Sequence, residues 1–321
     1  MRAALVTEVG MPPEVVEREA PSPGPDQALV EVHAAAVNPV DLHIAGGRFF
    51  SGPPQVPYVP GIEGVGRLAD GDGRRVRFES WYVGYGGDGS LGELALAAGE
   101  SLVELPDAID DALAAGLGAS GVTAWLALER AALTPGETVL VLGATGALGQ
   151  LALQLAVLKG AGRVVAAGRN AQRLERAREL GADALVRLHD DMGRSDLSEA
   201  FREAGGGGVD VIVDPLFGEP AAAALEAGKS GARLVNVGRV AGGESVFTPA
   251  TLRSKAAMGL STHYLPTEQK TQVYGALIEL AVDGRLTLDH EVLPLDRIGE
   301  AWRRQAASPG QKLIVDPWKR L

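Results

Sequence analysis

Val139-Leu-Val-Leu-Gly-Ala-Thr-Gly-Ala-Leu-Gly149 is the stretch that decides the fold. Its opening apolar run is too short for a helix and reads as a strand buried on both faces, the pattern of a parallel sheet. The run breaks at Gly143, Gly146 and Gly149, and Gln150 to Lys159 then has helical character. In a strand, glycine turn and helix, the glycines let the backbone approach a pyrophosphate whose charge meets the helix N-terminus. The spacing Ala144-x-Gly146-x-x-Gly149 puts an alanine at the usual first glycine, with Gly143 just before it. Ala144, Thr145, Gly146, Ala147, Leu148 and Gly149 are therefore expected to cradle a dinucleotide. Glycine turns also arise for steric reasons alone, so context matters. A second buried strand, Arg163 to Ala167, follows the helix, and at its end a dinucleotide site chooses its ribose partner.

That strand end discriminates between cofactors. An NAD site places a carboxylate there for the ribose hydroxyls, and the same carboxylate repels a 2′-phosphate. Here Gly168 holds the position, Arg169 and Asn170 follow, and Arg173 lies one turn into the next helix. Arginine offers a planar fork of donors suited to phosphate. NADPH is the expected cofactor, with Gly168, Arg169, Asn170 and Arg173 at its adenosine end.

Composition limits the alternatives. A chain of 321 residues is long enough for two domains, each with its own core. The net charge of −11 argues against a nucleic-acid or anionic-membrane surface, which would need clustered cations. Neither a basic, apolar leader at Met1 nor an apolar run of 18 residues is evident, so a cytoplasmic location is expected. The absence of cysteine excludes disulfides, thiolate catalysis and sulfur-ligated metals. The histidines, His33, His43, His189, His263 and His290, include no pair at metal-ligand spacing.

The fold class read from these signals is α/β, with a doubly wound parallel sheet inserted into a β-rich module. Before residue 110, short strand-like segments such as Leu29 to Val37 and Arg74 to Phe78 are punctuated by proline and glycine, the texture of an antiparallel barrel. Residues 111–262 alternate strand and helix, with further strands at Ala184 to Arg187, Val209 to Val213, Arg233 to Val237 and Ala257 to Thr262. Residues 263–321, with helices at Glu268 to Val282 and around Asp296 to Ala306, read as a return to the first module.

Asn38-Pro-Val-Asp41, Pro60-Gly-Ile-Glu-Gly-Val-Gly66, Ser120-Gly-Val-Thr-Ala124, Pro135-Gly-Glu-Thr-Val139, Val209-Asp-Val-Ile-Val-Asp214, Gly231 to Gly238 and Arg253-Ser-Lys255 stand in a specific order around the glycine turn. In that order the chain resembles the medium-chain dehydrogenase/reductase superfamily, and within it the zinc-free, zeta-crystallin-like quinone oxidoreductases. The resemblance runs nearly end to end. It implies a GroES-like catalytic domain interrupted by a Rossmann domain, with Val237 and Gly238 also at the cofactor. It further implies a homodimer formed through the last strand of the Rossmann sheet.

In the zinc-bearing branch, a cysteine, a histidine and a later cysteine hold the metal. The matching positions here are Asn38, Ile62 and Ser120, so no metal is expected. Without a Lewis acid, hydride delivery to a conjugated acceptor is favoured over plain alcohol chemistry, because the acceptor itself spreads the developing charge. The resemblance thus implies a small quinone or α,β-unsaturated carbonyl as substrate. An enoyl-thioester reductase and a low-turnover, NADPH-binding structural or sensing protein are the alternatives. Asn38, Asp41, His43 and Thr123 fall at positions the family uses around the nicotinamide. Asn38 would donate to the acceptor oxygen and Thr123 would bond the nicotinamide amide. His43 stands where many relatives have tyrosine and would deliver a proton; a cleft histidine without a chemical role fits equally well. Phe49 and Phe50 would wall an apolar pocket or simply pack. Arg253 and Lys255 would reach cofactor phosphate or lie on a solvated helix.

Overall fold

The computed structural model describes every residue except Asp70, Trp81 and Leu321. The chain forms two compact units, Met1–Ala119 with Leu265–Leu321, and Ser120–Tyr264.

Period-two alternation builds the first unit. In chain order it contains β1 (Arg2–Leu5), β2 (Glu14–Glu17), β3 (Gln27–Val37), α1 (Pro39–Ala45), β4 (Glu63–Leu68), β5 (Arg75–Glu79), β6 (Leu94–Ala98) and β7 (Val103–Glu104). Helix α2 (Asp111–Arg130) carries the chain into the second unit.

That unit alternates strictly: β8 (Thr138–Val141), α3 (Ala147–Leu158), β9 (Arg163–Gly168), α4 (Ala171–Glu179), β10 (Ala184–Arg187), α5 (Arg194–Ala204), β11 (Val209–Asp214), α6 (Gly218–Glu226), β12 (Gly228–Asn236), the short α7 (Pro249–Leu252) and β13 (Ala256–Gly259). The chain then returns to the first unit with α8 (Thr267–Val282), β14 (His290–Pro294), α9 (Ile298–Ala306) and β15 (Lys312–Asp316).

In the second unit all pairings are parallel, in the order β10-β9-β8-β11-β12-β13. Val139, Leu140 and Val141 of β8 and Val211, Ile212 and Val213 of β11 are buried on both faces, as a sheet covered by helices on each side requires. Successive strands are added to one side of β8 (β9, β10) and then to its other side (β11, β12, β13), so the crevice beyond the carboxyl ends of β8 and β11 is the topological switch point where such sheets bind ligands. The first unit carries a seven-stranded sheet ordered β14-β15-β3-β4-β5-β7, with β6 also on β3. Its apolar face, including Val30, Val32, Ile62, Phe78, Leu313 and Val315, forms the core.

The expected boundary at 110/111 lies instead at 119/120. Helix α2 breaks at Gly118 (φ −55°, ψ −105°), and the part before the break belongs to the first unit, where Ala114 accepts a hydrogen bond from Tyr274 at 2.9 Å. The sixth strand of the parallel sheet spans Ala256–Gly259, and Thr262–Tyr264 forms a 3₁₀ turn. Helix α3 starts at Ala147 rather than Gln150, because Gly146 is its extended N-cap. α2 is, among the described residues, long and apolar enough to cross a membrane, unlike the sequence expectation; 67% of its apolar window is buried inside the protein, as in a core helix.

Candidate active site

All the expected cofactor residues except Asn170 and Arg173, which open α4, lie at carboxyl ends of the parallel strands or in the turn and first residues of α3. After β8 the chain turns so tightly that a Cβ on Gly149 would lie 2.3 Å from the Gly143 carbonyl oxygen and 2.6 Å from Ala144 Cα. Only glycine lets α3 approach its own turn this closely, and no side chain caps its N-cap Gly146. Thr145, Gly146, Ala147 and Leu148 are half-buried, and the first N–H groups of a twelve-residue helix remain available to an anion. Ala144 is fixed by its N–H donating to Ala167 at the end of β9, 2.9 Å away. This cradle fits a dinucleotide.

Gly168 closes β9 in full burial. A Cβ there would sit 2.9 Å from Thr145 Cγ2, so a side chain at this position requires the Thr145 side chain to shift. Arg169 beside it is exposed and Arg173 half-buried. Asn170 acts locally, its Oδ1 accepting from Arg173 N–H at 3.0 Å and capping α4.

At the neighbouring strand ends, the buried Asp214 accepts from the N–H groups of Leu216 (2.9 Å) and Phe217 (2.8 Å) and from Asn236 Nδ2 (2.8 Å). Burial pushes the Asp214 carboxyl above its ordinary range, against these three donors. This bridge locks the ends of β11 and β12 together and sets Val237 and Gly238, whose carbonyl accepts from Asn236. Phe217 has a left-handed φ of 61°, a strained conformation for a side-chain-bearing residue. The Lys255 ammonium donates to the Leu225 (2.8 Å) and Glu226 (2.9 Å) carbonyls at the end of α6. Arg253 is exposed.

In the first unit, Asn38, Asp41 and His43 come together on α1. Asn38 is its N-cap and Asp41 accepts from the Asn38 N–H at 2.7 Å and from Ile62 N–H at 3.0 Å. Burial pushes the Asp41 carboxyl up to about 7, against those two donors. His43 is half-buried in the last turn. Thr123 belongs to the other unit, where it is half-buried on α2. The Asn38 amide is engaged within the protein. Its Nδ2 donates to Glu63 Oε1 (3.0 Å) and faces the Ala36 carbonyl (3.4 Å), while its Oδ1 accepts from Lys312 at 2.6 Å. Both amide hydrogens thus face protein acceptors, and donation to a substrate oxygen would require exchanging one of them.

Sequence reasoning missed the charged cluster around this point. Glu63, Arg77, Glu79, Lys270 and Lys312 are all buried. Glu63 and Glu79 are direct cross-strand partners on β4 and β5, a repulsive pairing. Arg77 Nη2 relieves it, donating to Glu79 at 2.9 Å and reaching Glu63 at 3.4 Å. Its guanidinium stacks 4.8 Å from the Tyr274 ring centroid, and Lys270 donates to Glu79. Burial opposes ionisation of Glu79, but Arg77 and Lys270 outweigh it and hold its carboxyl below the usual range. Glu63 Oε2 also accepts the Ala119 N–H at 2.6 Å, which the break at Gly118 releases from helical bonding.

An open cavity of about 580 Å³ in this unit, lined by Glu31, His33, Asp111 and Trp318 among others, contains none of the expected residues.

Residues 24–107 match the family described as alcohol dehydrogenase GroES-like domain, and residues 147–280 the family described as zinc-binding dehydrogenase. The chain is 33% identical to quinone oxidoreductase-like protein 2 of Bos taurus, over 81% of this chain and 74% of that one. The chain belongs to the quinone oxidoreductase branch of the medium-chain dehydrogenase/reductase superfamily. Within that branch it is 31% identical to the quinone oxidoreductase of Homo sapiens, over 94% of this chain and 92% of that one. The quinone oxidoreductase of Thermus thermophilus, solved also with NADPH, is similar in structure, with a TM-score of 0.83 and 27% identity over 98% of this chain and 100% of that one. As a member of this family, the protein is an oxidoreductase that uses a nicotinamide cofactor.

A zinc ion does not fit the donors present. Among the described residues no group of three or more His, Cys, Asp or Glu side chains could hold a metal. Ile62 is apolar, and Asp41 and Glu63 already accept from protein donors.

Proposed function

We propose that this protein is a zinc-independent reductase that uses NADPH to reduce quinones or α,β-unsaturated carbonyls. The observation that carries the cofactor choice is the end of β9. Thr145 occupies the space a side chain at Gly168 would need, and the exposed Arg169 follows at once. A 2′-phosphate there meets a guanidinium fork and no carboxylate. The Thermus relative's NADPH complex supports the same choice. When bound, the cofactor supplies a hydride. The uncapped start of α3 would hold its pyrophosphate, while Arg169 and Arg173 would hold its 2′-phosphate.

The acceptor class follows from the catalytic unit. Its carboxylates are engaged within the protein and its donor set offers no Lewis acid, so the acceptor must stabilise its own developing charge. Quinones and enones do so by conjugation, and the names of the relatives point the same way. His43 supplies a proton to the carbon left basic after reduction of a double bond. The test is oxidation of NADPH, and of NADH in parallel, with a panel of quinones, enones, enals and enoyl thioesters. NADPH consumption with quinones or enones is expected. Turnover restricted to thioesters, or none at all, would contradict the proposal.

A further inference from the structure

We propose that Lys312 is a positioning residue whose ammonium does the organising work of a catalytic-site cation in this chain, in place of a metal. The placement follows from strand register. β15 and β3 pair antiparallel with Leu313 opposite Val37, so one step further puts Lys312 opposite Asn38. β4 lies on the other side of β3, and its first residue is Glu63. Lys312 Nζ donates to Asn38 Oδ1 at 2.6 Å and lies 3.7 Å from Glu63 Oε1, while Asn38 Nδ2 donates to that same carboxylate at 3.0 Å. The three side chains close a triangle at the ends of three adjacent strands, Asn38 standing one residue past β3. Lys312 is 3% exposed, Asn38 3% and Glu63 1%. An ammonium with three donors and no acceptor is suited to bridging oxygen ligands that a divalent ion would otherwise gather.

Charge balance makes the substitution complete. The buried cations of the cluster, Arg77, Lys270 and Lys312, already balance the buried carboxylates Glu63 and Glu79, and Asp41 beside them holds a proton up to about pH 7, so no negative charge is left unmatched. A divalent ion added here would bring two uncompensated charges into the protein interior, which is strongly unfavourable. This answers the mismatch between the zinc-binding description of the matching family and the donors in this chain.

The consequence reaches the site through Asn38. As N-cap of α1, Asn38 fixes the helix that carries Asp41 and His43. Lys312 therefore sets the orientation of α1 without touching a substrate.

The test uses the full chain and has two parts, of which only the second rests on the function proposed above. In the first, metal content and thermal stability of the purified protein are measured with and without a strong chelator, and a stability cycle combines Lys312→Met with Glu63→Gln. Well below one zinc per chain and no effect of the chelator are expected. In the cycle, the double variant should be more stable than the sum of the single effects predicts, by about tenfold or more in the unfolding constant. Stoichiometric zinc whose removal destabilises the fold, or additive single effects, would overturn the proposal even if no acceptor is ever found. In the second part, Lys312→Met should lower kcat by about tenfold or more, leaving the NADPH KM unchanged within about twofold, and Asn38→Ala should add no further loss on top of it. An unchanged kcat, or losses that multiply, would contradict a role exerted through Asn38. Failure of the unsubstituted protein to oxidise NADPH would count against the functional reading alone.

Discussion

Replacing Gly118 with alanine isolates the link between the helix break and the buried charges. By intrinsic propensity, Gly→Ala within a helix should stabilise by about 1 kcal/mol. The structure reverses that sign. A Cβ at Gly118 would lie 1.9 Å from Glu63 Oε2 and 2.8 Å from its carboxyl carbon, so the carboxylate must leave its place. It then loses the charge-assisted bond from Ala119 N–H, which contributes roughly 1.5–3 kcal/mol. Its pairing with Arg77 and Asn38 is disturbed as well. Subtracting the propensity gain from that bond alone leaves a net destabilisation of about 0.5–2 kcal/mol, or roughly 1–8 °C in Tm for a unit of this size. Gly275 provides the control, since it lies within α8 and a Cβ there would meet nothing within 4 Å. Gly275→Ala should stabilise by about 0.5–1 kcal/mol. Urea unfolding followed by circular dichroism reports both midpoints, provided the slope is unchanged. If Gly118→Ala stabilises as Gly275→Ala does, Glu63 does not occupy the break and the reasoning is refuted.

Three further outcomes follow. Asp41 keeps its proton to about pH 7 in the folded protein, whereas an unfolded aspartate loses it near pH 3.9, so folded protein binds the extra proton between these values and stability falls as pH rises through that window. The Asp41 contribution to that slope approaches 1.36 kcal/mol per pH unit, and denaturation midpoints from pH 5 to 7 should show it removed in Asp41→Asn. Arg169→Ala should raise the NADPH dissociation constant about ten- to a hundredfold and leave that of NADH unchanged; fluorescence titration giving equal losses for both cofactors would remove Arg169 from the phosphate. His43→Phe should slow enone reduction by about a hundredfold or more and quinone reduction much less, because a hydroquinone anion is a far weaker base than an enolate. Normal enone turnover would assign the proton to water.

The parallel sheet and its cofactor turn were legible in the sequence because they depend on local signals: doubly buried strands, a glycine turn and an alternation of strand and helix. Gly168 could be read as a missing acid, but its steric basis could not, since Thr145 becomes its neighbour only after folding. The buried charge cluster was hidden for a related reason. Along β5, Arg75, Val76, Arg77, Phe78 and Glu79 alternate, and period-two alternation normally means one wet face. Here the polar face is covered as well: Glu79 meets Lys270, and Arg77 meets Tyr274, from a helix nearly two hundred residues away. Lys312 opens a short apolar strand, with nothing nearby in the sequence to mark Asn38 as its partner. Helix α2 shows the same limit, since Gly118 reads as one more small residue in an Ala/Leu-rich run until Glu63 is found beside it.

One steady-state comparison decides whether the protein reduces a conjugated acceptor with NADPH and without metal. Oxidation of NADPH and of NADH by a simple quinone is followed on chelator-treated protein, with kcat/KM measured for each cofactor. Sustained turnover without metal is expected, with a preference for NADPH of about tenfold or more, the scale of one charge-assisted contact to the 2′-phosphate. Equal use of the two cofactors, or turnover that appears only when zinc is restored, would contradict it.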